Sequence, residues 1–325
     1  MMKMHETPSR GNIISELAQT EKDPAFTKLA ELSDLSRQDL EIWRANWQKI
    51  PVERRRQVIS RLQYLAEENV ELNFDSIFKS SLADPDEEIR ALSIEGLWEA
   101  EDTSLIRLLI KTLENDASTR VQEAAAVALG RFALLAEAGK IDSALRLEIA
   151  RSLLNVFNDE ARSLEARRRA LEAVAPLSPP EVKKAISAAY QSGELKLKAS
   201  SIYAMRMNGD PEWLPIIINE LSDSEPELRY EATSACGEIG GVTEVPRLVN
   251  LIEDEDIEVR LAAIQALGKI GGELAAARLK KCLKDKSHLI RERAQQTLYE
   301  MEAVKKIVPL LEFERGDTIR EYNHS

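Results

Sequence analysis

Side chains able to do chemistry are few in this chain, and they are widely separated. The three histidines are His5, His288 and His324. His5 and His324 lie near the two ends, and His288 follows Lys-Asp-Lys-Ser in a segment of turn character. Cys236 and Cys282 offer no clustered Cys/His set of the kind a zinc site needs. Each cysteine falls in an apolar stripe, as a small core residue would, which fits a reducing compartment better than a disulfide framework. No GxxxxGK[ST] phosphate loop and no GxSxG nucleophile turn occurs. Carboxylates are abundant but recur at turn positions, where capping accounts for them. The expectation is a non-catalytic chain without a metal or a cofactor.

Two basic clusters could meet a phosphate backbone: Arg54, Arg55 and Arg56 with Arg61, and Arg167, Arg168 and Arg169. Both are interrupted by carboxylates, at Glu53, Glu165 and Glu172. The whole chain carries 56 acidic against 44 basic residues, a net charge of −12, which opposes binding to a polyanion. Nucleic acid is therefore not an expected partner. No apolar run reaches the ~18 residues of a membrane span, and the first residues lack a secretory core. A cytoplasmic protein with no membrane partner is the expectation.

The elements that position these residues are repeats. Glu253–Gly272 reads EDEDIEVRLAAIQALGKIGG, and 31 residues upstream SDSEPELRYEATSACGEIGG has the same skeleton. Aligning on one column gives Arg90, Gln122, Arg167, Lys198, Arg229, Arg260 and Arg291, the last five spaced by 31. A fixed period of this kind marks a solenoid. Val259, Ala263, Ala266, Leu267 and Ile270 trace one helical face, and Leu248, Leu251 and Ile252 trace a shorter one before it. Between the two halves Asp254 recurs as Asp84, Asp116, Asp223 and Asp285 and can accept hydrogen bonds from free backbone N–H groups. Each unit is then a helical hairpin that must stack on its neighbours to bury its apolar faces. Gly268 is assigned to the solvent side, and Pro215 and Pro246 share a column that predicts a bend in the first helix.

At Asp254–Gly271 the pattern D-x5-R-x2-AA-x2-ALG-x-IG resembles the short HEAT-like repeat of phycobilisome lyases. The resemblance covers roughly residues 82 to 305. It implies second helices lining a concave face and Arg/Asp ladders between repeats, weakened at Gln122. HEAT-like families also include enzymes and nucleic-acid binders. A bilin lyase rests on the shared repeat alone. A deoxyhypusine hydroxylase would hold a di-iron centre through His-Glu pairs, of which only His5-Glu6 is present. A DNA glycosylase would need the basic strip considered above.

The chain thus divides into a mobile arm (1–32), capping helices (33–81), a HEAT-like solenoid (82–308) and a polar tail (309–325). The expected fold is all-α, an α-α superhelix of seven to eight helical hairpins with no strand. Arg55, Val58 and Leu62 echo the repeat columns, and Trp43 and Trp47 serve as cap packing. Gln122 and Arg167 are 45 apart, so 14 extra residues lie near 136–147, in a loop or in lengthened helices. Pro176, Pro179 and Pro180 mark a break. Positions 1, 5, 8 and 9 after the Arg column should line the groove. They include Trp98, Arg168, Tyr203, Arg206, Met207 and Tyr230, residue types favoured at protein contacts. The expected role is a scaffold that binds a protein or peptide segment, with acidic surroundings at Glu95, Glu99 and Glu172 favouring a ligand that carries Lys or Arg.

Overall fold

The computed structural model describes residues 10–19 and 25–321, with side chains over 10–17 and 25–304. All regular structure among them is helical, and no strand occurs. The chain forms two compact units, residues 1–177 and 178–325, divided within the proline-rich segment 176–180.

The first unit contains α1 (Arg10–Gln19), α2 (Phe26–Ala30), α3 (Arg37–Trp47), α4 (Val52–Glu68), α5 (Asp75–Ser81), α6 (Glu87–Glu95), α7 (Ser104–Asn115), α8 (Thr119–Glu137), α9 (Ser143–Asn158) and α10 (Leu164–Val174). The second contains α11 (Pro180–Gln191), α12 (Leu195–Asn208), α13 (Leu214–Glu220), α14 (Pro226–Ile239), α15 (Val245–Leu251), α16 (Ile257–Ile270), α17 (Glu273–Cys282) and α18 (His288–Glu321). From α5 onward, odd and even helices pair as hairpins. Within the first unit the even helices pack in series from α4 to α10, and within the second from α12 to α18.

The helix α16 shows why this sequence folds as it does. Asp256 caps its start, accepting from the Glu258 and Val259 N–H groups at 2.8 and 3.2 Å. Val259, Ala263 and Leu267 are fully buried on one stripe, each large apolar side chain contributing roughly 1.5–3 kcal/mol. Gly271 ends the helix at φ 75°, a conformation that costs a residue with a Cβ.

Several expectations change. Residues 10–17 and 25–32, assigned to the arm, contribute to the core of the first unit: Ile13, Ile14, Leu29 and Leu32 are buried, and α1 packs on α3. Residues 1–9 and 20–24 lie outside the described residues. The helix α18 continues through Glu321, across most of the expected tail. Pro215 and Pro246 sit in the first turns of α13 and α15, where a missing N–H costs nothing, rather than at bends. The extra residues near 136–147 lengthen helices instead of forming a loop. The helix α8 has 19 residues against 14 in α14 and α16, α9 has 16, and Ala136 is buried at their junction.

Candidate functional site

Successive second helices are held by two devices, and these decide which side chains remain available to a ligand. The first is a ladder of ion pairs. Arg229 donates to both carboxylate oxygens of Asp254 at 2.8 Å and, through Nη1, to the Asp223 carbonyl in its own turn at 3.0 Å. Arg90 does the same with Asp116, at 2.8 and 2.7 Å, and with the Asp84 carbonyl. Arg260 reaches Asp285 at 2.6 Å. Each ladder aspartate also accepts the N–H two residues on, as Asp254 does from Asp256 at 2.9 Å. Burial opposes the charge on Asp254, but the Arg229 and Asp256 hydrogen bonds win and hold its pKa below the usual carboxylate value. Asp116 is lowered in the same way through Arg90 and Ser118.

Gln122 keeps only half of this arrangement. Its Nε2 donates to the Asp116 carbonyl at 2.6 Å, the contact inside its own turn, and it has no charge to offer the next repeat. At the other end the ladder begins earlier than the sequence columns show. Arg55 meets the fully buried Asp84 carboxylate at 2.5 Å, and the Trp47 indole N–H donates to the same oxygen at 2.7 Å. Trp43 and Trp47 stack at 4.6 Å and are buried, as cap packing requires.

The second device is close helix contact at glycine. A Cβ added to Gly237 would lie 2.7 Å from the Cα of Ala266; at Gly130 it would lie 3.1 Å from the Cα of Ala173. At Gly268 it would overlap Thr297 Cγ2. Gly268 therefore faces a neighbouring helix, correcting its assignment to solvent. All three glycines stand eight positions after the Arg column, and their partners stand six positions after it in the next repeat. This position was expected to line a groove, and in these repeats it is interior.

Where the eighth position is large, it reaches the surface. Arg206 lies over the Tyr203 ring, its guanidinium carbon 4.8 Å from the centroid. Both are half-buried on α12, with Met207 beside them, and Tyr230 is 38% exposed on the adjoining α14. Arg206 Nε is buried and has no hydrogen-bond partner among the described residues. These four residues belong to the second unit. Trp98 and Arg168 belong to the first. Trp98 is half-exposed in the turn after α6, and Arg168 is paired with Glu165 at 2.8 Å.

The arginine triplets are committed to internal contacts. Arg54 and Arg55 are buried, Arg56 pairs with Asp86 at 2.5 Å, Arg167 donates to the Phe157 carbonyl, and Arg169 pairs with Glu165 and Glu172. No three His, Cys, Asp or Glu side chains among the described residues are grouped to hold a metal ion. His288 pairs with Glu292 at 3.5 Å, while His5 and His324 lie outside the described residues. The residues described thus do not fit a di-iron centre. Both cysteines are free and buried, and burial pushes the Cys236 thiol up to about 11. No described helix is long and apolar enough to cross a membrane.

One polar cluster escaped the sequence reading. Glu220 is 2% exposed at a position that is apolar in neighbouring repeats, and it accepts from the Tyr190 hydroxyl at 2.5 Å. Lys198 bridges Glu220 and Asp223 at 2.7 and 3.0 Å. Burial and the Glu220 bond raise Tyr190 to about 12. The replacement of Arg by Lys in the ladder column was the available signal. Every group here is paired, so the cluster reads as a variant of the ladder.

Stacked helical hairpins with no strand among the described residues are the architecture of an α-helical solenoid of the HEAT-like kind. The family profile of HEAT repeats matches residues 76–147 and 214–299. Deoxyhypusine hydroxylase of Rattus norvegicus is 33% identical over 84 residues, 25% of this chain and 28% of that protein. The match thus spans little more than a quarter of the relative's length. Among solved structures, Kap95p bound to RanGDP is 12% identical, with 89% of this chain and 44% of that chain covered and a TM-score of 0.51. The CpcE–CpcF complex of phycocyanin lyase from Nostoc sp. PCC7120 is 17% identical, covering 70% and 94%, with a TM-score of 0.46. At such identities the structural likeness shows the fold alone.

Proposed function

We propose that this chain is a non-catalytic scaffold that holds an extended or helical segment of a partner protein against its second helices. The observation that carries this reading is the Tyr203–Arg206 stack beside Met207, with Tyr230 on the adjoining helix. A guanidinium held over an aromatic ring is pre-organised, so little side-chain freedom is lost when a ligand docks. Arg, Tyr and Met are also the types enriched at protein contacts. The two buried free thiols support a reducing, cytoplasmic setting.

The test is a pull-down from native cell extract with wild type beside the Tyr203→Ala/Arg206→Glu double variant. Loss of a discrete partner from the variant, at unchanged melting temperature, is the expected result. Retention of the same partners by both proteins would make the patch structural. The stretch shared with the rat hydroxylase supports a second reading, an enzyme of that kind, although no described His, Cys, Asp or Glu side chains are grouped to hold its metal. Under that reading the purified chain takes up iron stoichiometrically in elemental analysis; under the scaffold reading it does not.

A further inference from the structure

The first unit carries an apolar surface on α8 that the scaffold reading leaves unassigned. Val127 and Leu134 are 58% and 47% exposed, and they lie two helical turns apart on one face. Arg131 stands between them and donates Nη2 to the Glu99 carbonyl at 2.6 Å. That bond holds the turn carrying Trp98 against the same face of α8, and Trp98 is itself 50% exposed. Leu134 sits on the lengthened part of α8, twelve positions past the repeat column, where α14 and α16 have already ended.

We infer that Trp98, Val127 and Leu134 form a docking surface for a basic amphipathic helix of a partner protein. This deepens the scaffold reading by naming the partner's chemistry at a separate surface. Two arguments select that occupant. Val127 and Leu134 are seven residues apart, about 10 Å along α8, the spacing at which a second helix presents apolar side chains two turns apart. Charge selects the sign. Glu95, Glu99 and Glu101 flank Trp98 in the chain and are exposed. With Arg131 turned onto the Glu99 carbonyl, an exposed indole among three acidic neighbours in the chain favours a Lys or Arg side chain over it.

The test uses a synthetic helical Leu/Lys peptide and its Leu/Glu counterpart, titrated into the full chain. Trp43, Trp47 and Trp213 are buried, so a change in tryptophan emission on titration reports on Trp98. Saturable binding of the Leu/Lys peptide with a blue shift is expected, and Trp98→Phe removes the shift. Val127→Ser/Leu134→Ser, which removes the apolar side chains without adding charge, should weaken binding by about tenfold or more, since burial of either side chain is worth that much. Helicity and melting of this variant should match wild type, because both positions face solvent. Equal binding of the Leu/Glu peptide, no saturable binding, or binding indifferent to the double variant each overturns the inference. So does concentration-dependent self-association lost in the double variant without peptide binding, which assigns the face to a second copy of the chain. The Tyr203→Ala/Arg206→Glu variant separates the two surfaces. If it alone abolishes peptide binding, the peptide sits on the second unit, and the scaffold reading survives while this inference fails.

Discussion

The α14–α16 junction and the α8–α10 junction meet the same packing requirement with different chemistry. Both bring a glycine of one helix onto an alanine of the next, Gly237 on Ala266 and Gly130 on Ala173. At α14–α16 the turns are also joined by the bidentate Arg229–Asp254 pair, whose side chains are 9% and 8% exposed. At α8–α10 the corresponding Gln122 stays within its own turn. There α8 and α9 are longer and bury Phe132, Ala133 and Ala136, while Arg162 reaches back to the Leu113 and Glu114 carbonyls. The glycine contact is thus the part common to both. The ion pair can be absent where helix length adds apolar burial.

That comparison predicts unequal costs. Asp254→Ala leaves the buried Arg229 guanidinium only the Asp223 and Ser224 carbonyls and the exposed Glu255, and should destabilise by about 1.5–3 kcal/mol, whereas Gln122→Ala removes one neutral hydrogen bond and should cost about 0.5–1.5 kcal/mol. Urea denaturation of the two variants measures this, and equal losses would break the distinction. Gly237→Leu should come next. Its side chain has no space against the Ala266 backbone, so a loss of about 1–3 kcal/mol is expected in the same assay.

The smallest effect appears with acid. Asp116, Asp223, Asp254 and Asp285 all have folded-state pKa values below the unfolded value. Depressed carboxylates contribute stability that is fully present above the unfolded value, about pH 4, and is lost as pH falls through the folded values. The urea midpoint should therefore hold between pH 7 and 5 and fall below about pH 4. Asp254→Asn, which cannot ionise, should fall less steeply over the same window.

Much of the fold was legible because one column repeats every 31 residues and an apolar stripe follows it at helical spacing. Contacts between helices were less so. A stripe read along one helix does not show which neighbour lies across it, and so the sequence puts Gly268 on the solvent side. The recurrence of Gly130, Gly237 and Gly268 at one position was the unread signal. Arg55 was recognised as an echo of the repeat, but 35 residues separate it from Arg90, and that interval hid its bond to Asp84. Ile13, Ile14 and Leu17 offered a short apolar stripe that the polar composition around them obscured. In the candidate site, the residue types and their columns were legible; the Arg206–Tyr203 stack was not, because rotamers are set by packing rather than by sequence spacing.

The scaffold reading is tested most directly by placing a photo-crosslinking phenylalanine analogue at position 203 and irradiating the full chain in native extract. The account predicts a discrete adduct with a partner protein that disappears when Arg206→Glu is added, with the melting temperature unchanged. Adducts confined to the chain itself, or an adduct indifferent to Arg206→Glu, would contradict it.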